Sequence, residues 1–241
     1  MASTENLTIV VPVLNEAASI ELFCNDARRL QQSAVQSKLD VNFIFVDNGS
    51  TDSSYQMLKA QCEREIGFTL LNCKTRGYGA ALKTGFRQAM GDYIGFIDLD
   101  GTYPMQDFLV LAHALQTQPQ IEMAVGSRMN LDSKMPIIRK IGNTIYTIVI
   151  QFLYLRQIPD ACSGMRLIRK DQRQSLINQS NDGLGYSIQL TCFMLRKKWT
   201  LYFHSITYNE RSGPSKLNLI HDGLDFFKEI LRERLKSLRS I

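Results

Sequence analysis

The stretch YIGFIDLDGTYP (residues 93–104) places two aspartates, Asp98 and Asp100, one residue apart directly after an apolar run. Tyr93 to Ile97 read as a buried strand, and removing a carboxylate from water costs several kcal/mol unless cations or hydrogen bonds compensate. The pair is therefore expected at the strand's end, facing something that rewards negative charge. Gly101 and Pro104 turn the chain there. Alternate strand residues point to the same side, so both carboxylates can address one centre. Hard oxygen ligands of this kind suit Mg²⁺ or Mn²⁺, ions that commonly also bind substrate phosphates.

Working outward, strand and helix periods alternate. LTIVVPV (7–13), VNFIFV (41–46), FTLLNC (68–73), YIGFID (93–98) and EMAVGS (122–127) read as strands. Helical spacing fills 16–37, 53–65, 79–90 and 105–117 between them. Such alternation predicts an α/β fold, a mostly parallel sheet with helices on both faces. Ligands bind beyond the carboxyl ends of such strands. PVLNE, DNGSTD, TRGYGA, DLDGTYP and GSR would then line one edge. Beyond residue 129 the pattern is less regular: a helical segment over 136–156, DACSGMRLIRK, a helix near 186–197, the strand LYFHSITY and an amphipathic helix over 217–239.

The chain has 241 residues, 44% hydrophobic and 21% charged, enough for one globular domain with a sizeable core. A net charge of +5 mildly favours an anionic partner. Five cysteines with no CxxC pair predict reduced thiols, and three scattered histidines suggest no metal cluster. No basic region precedes the first apolar residues, and no window reaches the roughly 18 apolar residues of a membrane span. A cytoplasmic protein is expected, with no nucleic-acid partner.

Asp47, directly after a strand, can accept hydrogen bonds from a nucleotide base or ribose, whereas Ser50 to Asp52 suit a helix-capping turn. In TRGYGAALK the glycines permit close backbone approach, and Lys83 lies one turn into the following helix, a candidate for the nucleotide sugar.

Together TIVVPVLNE, FVDNGSTD, TRGYGAALKTG, DLDGTYP, VGSR, DACSGMR and ITYNERSGPSKL resemble family 2 glycosyltransferases, most of all dolichyl- or polyprenyl-phosphate hexose synthases. The resemblance spans Thr8 to Leu224. It implies a GT-A fold over 1–241, with a nucleotide-binding half about 1–128 and an acceptor half about 129–241. It also implies a GDP- or UDP-hexose donor, a divalent metal, polyprenyl or dolichyl phosphate as acceptor, and inversion at the anomeric carbon. Pro12, Leu14, Glu16 and Asp47 would contact the nucleotide, and Asp98 and Asp100 would hold the metal. Arg128, Arg139, Arg211 and Lys216 fall where the family gathers cations around phosphates.

Three positions depart from that pattern. Asn48 replaces an aspartate, Thr75 replaces an asparagine, and GYSIQLTC (185–192) carries Ser187, Gln189 and Thr191 where relatives usually have an acid. A sugar hydroxyl acceptor needs a carboxylate base, and Asp160 is the nearest candidate by motif; a phosphate acceptor, already anionic, needs none. Its demand is for cations. Rival readings are a hydroxyl-acceptor enzyme and a non-catalytic nucleotide-sugar-binding homologue. A lipid acceptor also calls for membrane contact. The segment 136–156 suits either a core or an interfacial helix, and the basic tail suits either solvent or anionic lipid. A peripheral enzyme at the membrane is expected, alone, as a homo-oligomer or with an anchoring partner.

Overall fold

The computed structural model describes residues 4–130, 132–211 and 221–238. In chain order it contains β1 (Glu5–Val13), α1 (Ala17–Ala34), β2 (Leu39–Asp47), α2 (Ser54–Arg64), β3 (Phe68–Asn72), α3 (Tyr78–Gln88) and β4 (Tyr93–Phe96). There follow α4 (Phe108–Thr117), β5 (Met123–Ser127), α5 (Ile137–Tyr154), β6 (Arg166–Arg169), α6 (Arg173–Ile177), α7 (Tyr186–Arg196), β7 (Leu201–Ser205) and α8 (His221–Leu238). The strands form one seven-stranded sheet in the order β3-β2-β1-β4-β6-β5-β7. The pairs β1–β2, β1–β4, β2–β3 and β5–β7 are parallel.

Sequence periodicity missed β6. Four residues that begin and end on arginine give too short a signal, yet β6 lies inside the sheet, antiparallel to β4 and β5. Arg166 pairs with both Phe96 and Val125. Because β6 runs backwards, the residues that precede it arrive at the edge where β4 and β5 end. This reversal delivers DACSG to the same crevice as DLD and GSR.

Strand alternation sorts the core. Ile9, Val11, Phe43 and Phe45 pack with α1 and α4 on one face, while Val10, Ile44 and Val46 meet α3 and α7 on the other. Gly85 lets α3 lie flat on the sheet, since a Cβ there would meet Val10 at 2.3 Å. A third cluster joins α5, α7 and α8 through Ile150, Ile188, Cys192 and Ile230. No helix among the described residues is long and apolar enough to cross a membrane.

Candidate active site

A cleft of about 870 Å³ opens along the carboxyl edge of the sheet. Pro12, Leu14, Glu16, Asp98, Asp100, Arg128, Arg139 and Arg211 all line it, as do Asn48, Arg76, Tyr78 and Gly164. Asp47 and Lys83 are absent from its wall, and Lys216 lies outside the described residues.

At its floor, Asp98 accepts a 2.8 Å hydrogen bond from the Tyr78 hydroxyl. Burial, and then the charge of Asp100, push the Asp98 carboxyl up to about 7, against the pull of Tyr78, Arg128 and Arg211. Asp100 accepts from the Thr102 backbone at 3.2 Å and from its hydroxyl at 2.6 Å. The Arg211 guanidinium spans the cleft, 3.1 Å from Asp100 and 3.0 Å from Glu16. The segment bearing Arg211 is tied to the site by Asn209 N donating to Thr102 O at 2.9 Å. Gly164 packs its backbone against this floor. A Cβ on it would come within 2.5 Å of Asp98 Oδ2, and its N–H donates to the Tyr103 hydroxyl at 2.7 Å. Sequence reasoning did not single out Gly164; its signal was the Ser-Gly pair inside DACSGMR.

Two carboxylates that crowd each other and draw an internal guanidinium have the donor chemistry for a hard divalent cation. No group of three or more metal-ligating side chains occurs among the described residues. The remaining positions around such an ion would therefore fall to substrate oxygens and water, the usual pattern for Mg²⁺.

Arg128 proves to be paired. Its Nε and Nη2 donate to Asp160 at 2.8 Å each, and its backbone N–H adds a 3.1 Å bond. Asn143 Nδ2 and Cys162 N bring the donors on Asp160 to five. Burial alone would raise the Asp160 carboxyl, but the Arg128 charge and these hydrogen bonds outweigh it and hold it below the usual range. Asp160 is fully buried and is absent from the cleft wall; it acts as the charge partner of Arg128.

The Gly-rich turn also has an internal purpose. Gly77 (φ +133) faces Asp182 O, which a Cβ would meet at 2.1 Å. The first amides of α3 are satisfied by this loop, Gly79 N by Gly183 O and Ala80 N by Asp182 O. Lys83 reinforces it, bonding Gln179 O at 2.9 Å and Asp182 at 2.6 Å. The close backbone approach expected at TRGYGA is thus made by the chain itself. Asp47 accepts from Gly49 N and Ser50 N, shaping its own turn. Asn48 explains one departure from the family pattern: its amide donates to Thr75 O at 2.7 Å and accepts from Gly77 N at 2.6 Å. A carboxylate could make only the second bond.

Gln189 explains another. It accepts from Asn181 N and donates to Ser180, Glu229 and Glu233, the last two on α8. Those acids contribute nothing to the cleft wall.

A mostly parallel sheet whose strand ends gather a D-x-D and facing arginines defines a GT-A architecture. The chain belongs to glycosyl transferase family 2, whose profile matches residues 8–176, and it is a glycosyltransferase. It is 25% identical over 259 residues to a dolichyl-phosphate beta-glucosyltransferase of Saccharomyces cerevisiae, covering 98% of this chain and 76% of that one. It is also 25% identical over 240 residues to a dolichyl-phosphate hexose transferase of Haloferax volcanii, covering 96% and 97%. It spans about half (51%) of a third relative, a low-salt glycan biosynthesis hexosyltransferase of the same archaeon, at 26% identity over 90% of this chain. Among solved structures, glucosyl-3-phosphoglycerate synthase of Mycobacterium tuberculosis, in complex with Mn²⁺, UDP-glucose and phosphoglyceric acid, matches with TM-score 0.74. At 18% identity, covering 95% of this chain and 80% of that one, the likeness shows the fold.

Proposed function

We propose that the protein transfers a hexose from a nucleotide sugar to polyprenyl or dolichyl phosphate, with inversion, as a peripheral enzyme at the cytoplasmic face of a membrane. One observation carries this reading: each described carboxylate lining the cleft is already engaged. Glu16 and Asp100 hold Arg211, Asp98 holds Tyr78, and Asp225 holds Lys228 at 2.9 Å. Asp160, the candidate base for a hydroxyl acceptor, is locked to Arg128. A phosphate acceptor needs no base, because its oxygen is already anionic. The dolichyl-phosphate relatives support the same acceptor class.

In this reading Pro12, Leu14 and Glu16 bound the nucleotide side of the cleft, with Asn48 holding two loops in register beside it. Asp98 and Asp100 would hold Mg²⁺ or Mn²⁺, which when bound supplies positive charge to the donor diphosphate. A phosphate oxygen of the acceptor forms the new bond to the anomeric carbon as the bond to the nucleoside diphosphate breaks on the opposite face. No proton moves. Arg211 and Arg139 counter the mutual repulsion of acceptor, donor and leaving group, a task suited to planar guanidinium forks. Ile138, Ile141, Tyr146 and Phe226 make the far wall apolar, as an isoprenoid requires.

Transfer from GDP- and UDP-hexoses should be assayed with Mn²⁺ against a polyprenyl phosphate and the matching free polyprenol. Product with the phosphate alone is expected. Product with the alcohol would overturn the reading.

A further inference from the structure

Helices α5 and α8 are turned inside out. On α8 the residues packed against the protein include Glu229 and Glu233, only 2% and 1% exposed, hydrogen-bonded to Gln189. Its outward residues include Leu224, Phe227, Leu231 and Leu235. On α5 the buried positions are Asn143, Thr147 and Ile150, while Ile141, Ile145, Ile148 and Phe152 face outward at helical spacing. An ordinary surface helix does the reverse. The two helices touch through Tyr146, whose ring meets Phe226 and Phe227 edge-on at 5.5 and 5.1 Å. Two inverted neighbours thus expose a shared apolar surface, far more than isolated surface leucines require.

We infer that this α5–α8 face docks on an anionic lipid bilayer and sets the mouth of the active-site cleft against it. Charge selects the occupant. From Ser133 to Pro159 the chain carries Lys134, Arg139, Lys140 and Arg156 and no acidic residue. On α8 Lys228, Arg232 and Lys236 reach solvent while pairing with Asp225, Glu229 and Glu233 one turn back. Of these acids Glu229 and Glu233 are buried, so the solvent side of the helix shows more positive than negative charge. An apolar surface bordered by cations fits acyl chains bordered by phosphate headgroups. Continuity supplies the orientation. Ile138 and Ile141 belong both to the exposed face and to the cleft wall. A lipid-linked acceptor could then enter from the bilayer without its chain crossing water. The inference deepens the acceptor reading above and rests on it for that orientation.

The test uses the purified full chain without donor or acceptor. Flotation is measured with phosphatidylcholine vesicles and with equimolar phosphatidylcholine and phosphatidylglycerol. Wild type should float with the anionic vesicles and far less with the neutral ones, and added salt should weaken the difference. A double variant, Ile148→Glu with Leu231→Glu, alters side chains 58% and 57% exposed and outside the cleft wall. Its partitioning should fall about tenfold or more. Its thermal melting and its activity on a short, water-soluble isoprenyl phosphate should stay at wild-type levels. Ile145→Glu with Leu235→Glu repeats the test should the first pair fold poorly.

Failure of wild type to float, or undiminished flotation of both variants, overturns the inference. So does loss of a wild-type dimer in the variants without any vesicle binding, which would make the face an interface between copies of this chain. Transfer to the short phosphate that persists without flotation fails the docking inference alone. Flotation without transfer to any phosphate acceptor fails the functional reading alone.

Discussion

Asp100 carries a heavier demand than its neighbour. It holds Arg211 and Thr102 while facing the space assigned to the diphosphate. Asp100→Ala is expected to abolish hexose transfer and Asp98→Ala to cut it severely, measured with labelled donor on variants whose circular dichroism matches wild type. Near-normal turnover in folded Asp100→Ala would remove the metal assignment. Arg211→Ala should lower kcat by about tenfold to a thousandfold and donor affinity much less, because its charge counts most as the leaving group develops. Unchanged kcat would take Arg211 out of the mechanism. At Arg128 the expectation differs, since its charge is already matched by Asp160. Asp160→Asn leaves a buried guanidinium without its counter-charge, a loss of about 3–5 kcal/mol in urea unfolding. The folded state holds the Asp160 carboxyl below its ordinary range, so its contribution is present above the unfolded pKa and is lost as pH falls through the folded one. The gap between wild type and variant should therefore narrow on acidification below about pH 4. A gap that stays constant into acid would show that the pair contributes nothing through its charge.

Between elements, polar contacts do what apolar ones usually do. Helix α8 rests on α7 through Ile230 and the Gln189–Glu229–Glu233 cluster. Gln189→Leu would leave both carboxylates without their shared amide donor, at a cost of about 1–3 kcal/mol. Amide exchange across 221–238 should accelerate in this variant before the sheet is affected. Equal exchange in both proteins would mean that Ile230 and its apolar neighbours alone hold the helix. The 179–183 loop is likewise fixed by Lys83 and by α3 amides, which is why a lysine expected at the donor is found behind the cleft.

For the whole molecule, ligand binding and stability are linked. A nucleoside diphosphate with Mn²⁺ at about a hundred times its dissociation constant should stabilise the fold by about 2.7 kcal/mol, seen as a rise in Tm. Chelating the metal, or making Asp100→Ala, should remove most of that rise. A shift unaffected by either would mean that nucleotide binds without the D-x-D.

Local chemistry made the strand–helix alternation, the strand-end aspartates and the sheet's binding edge legible, because each is written within a window of some ten residues. LTIVVPV, VNFIFV and the IDLDG turn announce themselves without knowledge of their neighbours. Strand β6 does not, because four residues take their direction from β4 and β5, which pair with them across the sheet. Sequence placed arginines near phosphates, but whether a given arginine is free depends on a partner far along the chain. Arg128 meets Asp160, thirty-two positions away, and becomes a neutral pair. Periodicity likewise marked α5 and α8 as amphipathic without saying which side turns inward. Packing decided that: Asn143, Thr147, Glu229 and Glu233 found partners inside, and the isoleucines and leucines were left to face outward. A sequence records which side chains share a face; only the folded chain supplies the donors and acceptors that make burying the polar face the lower free energy.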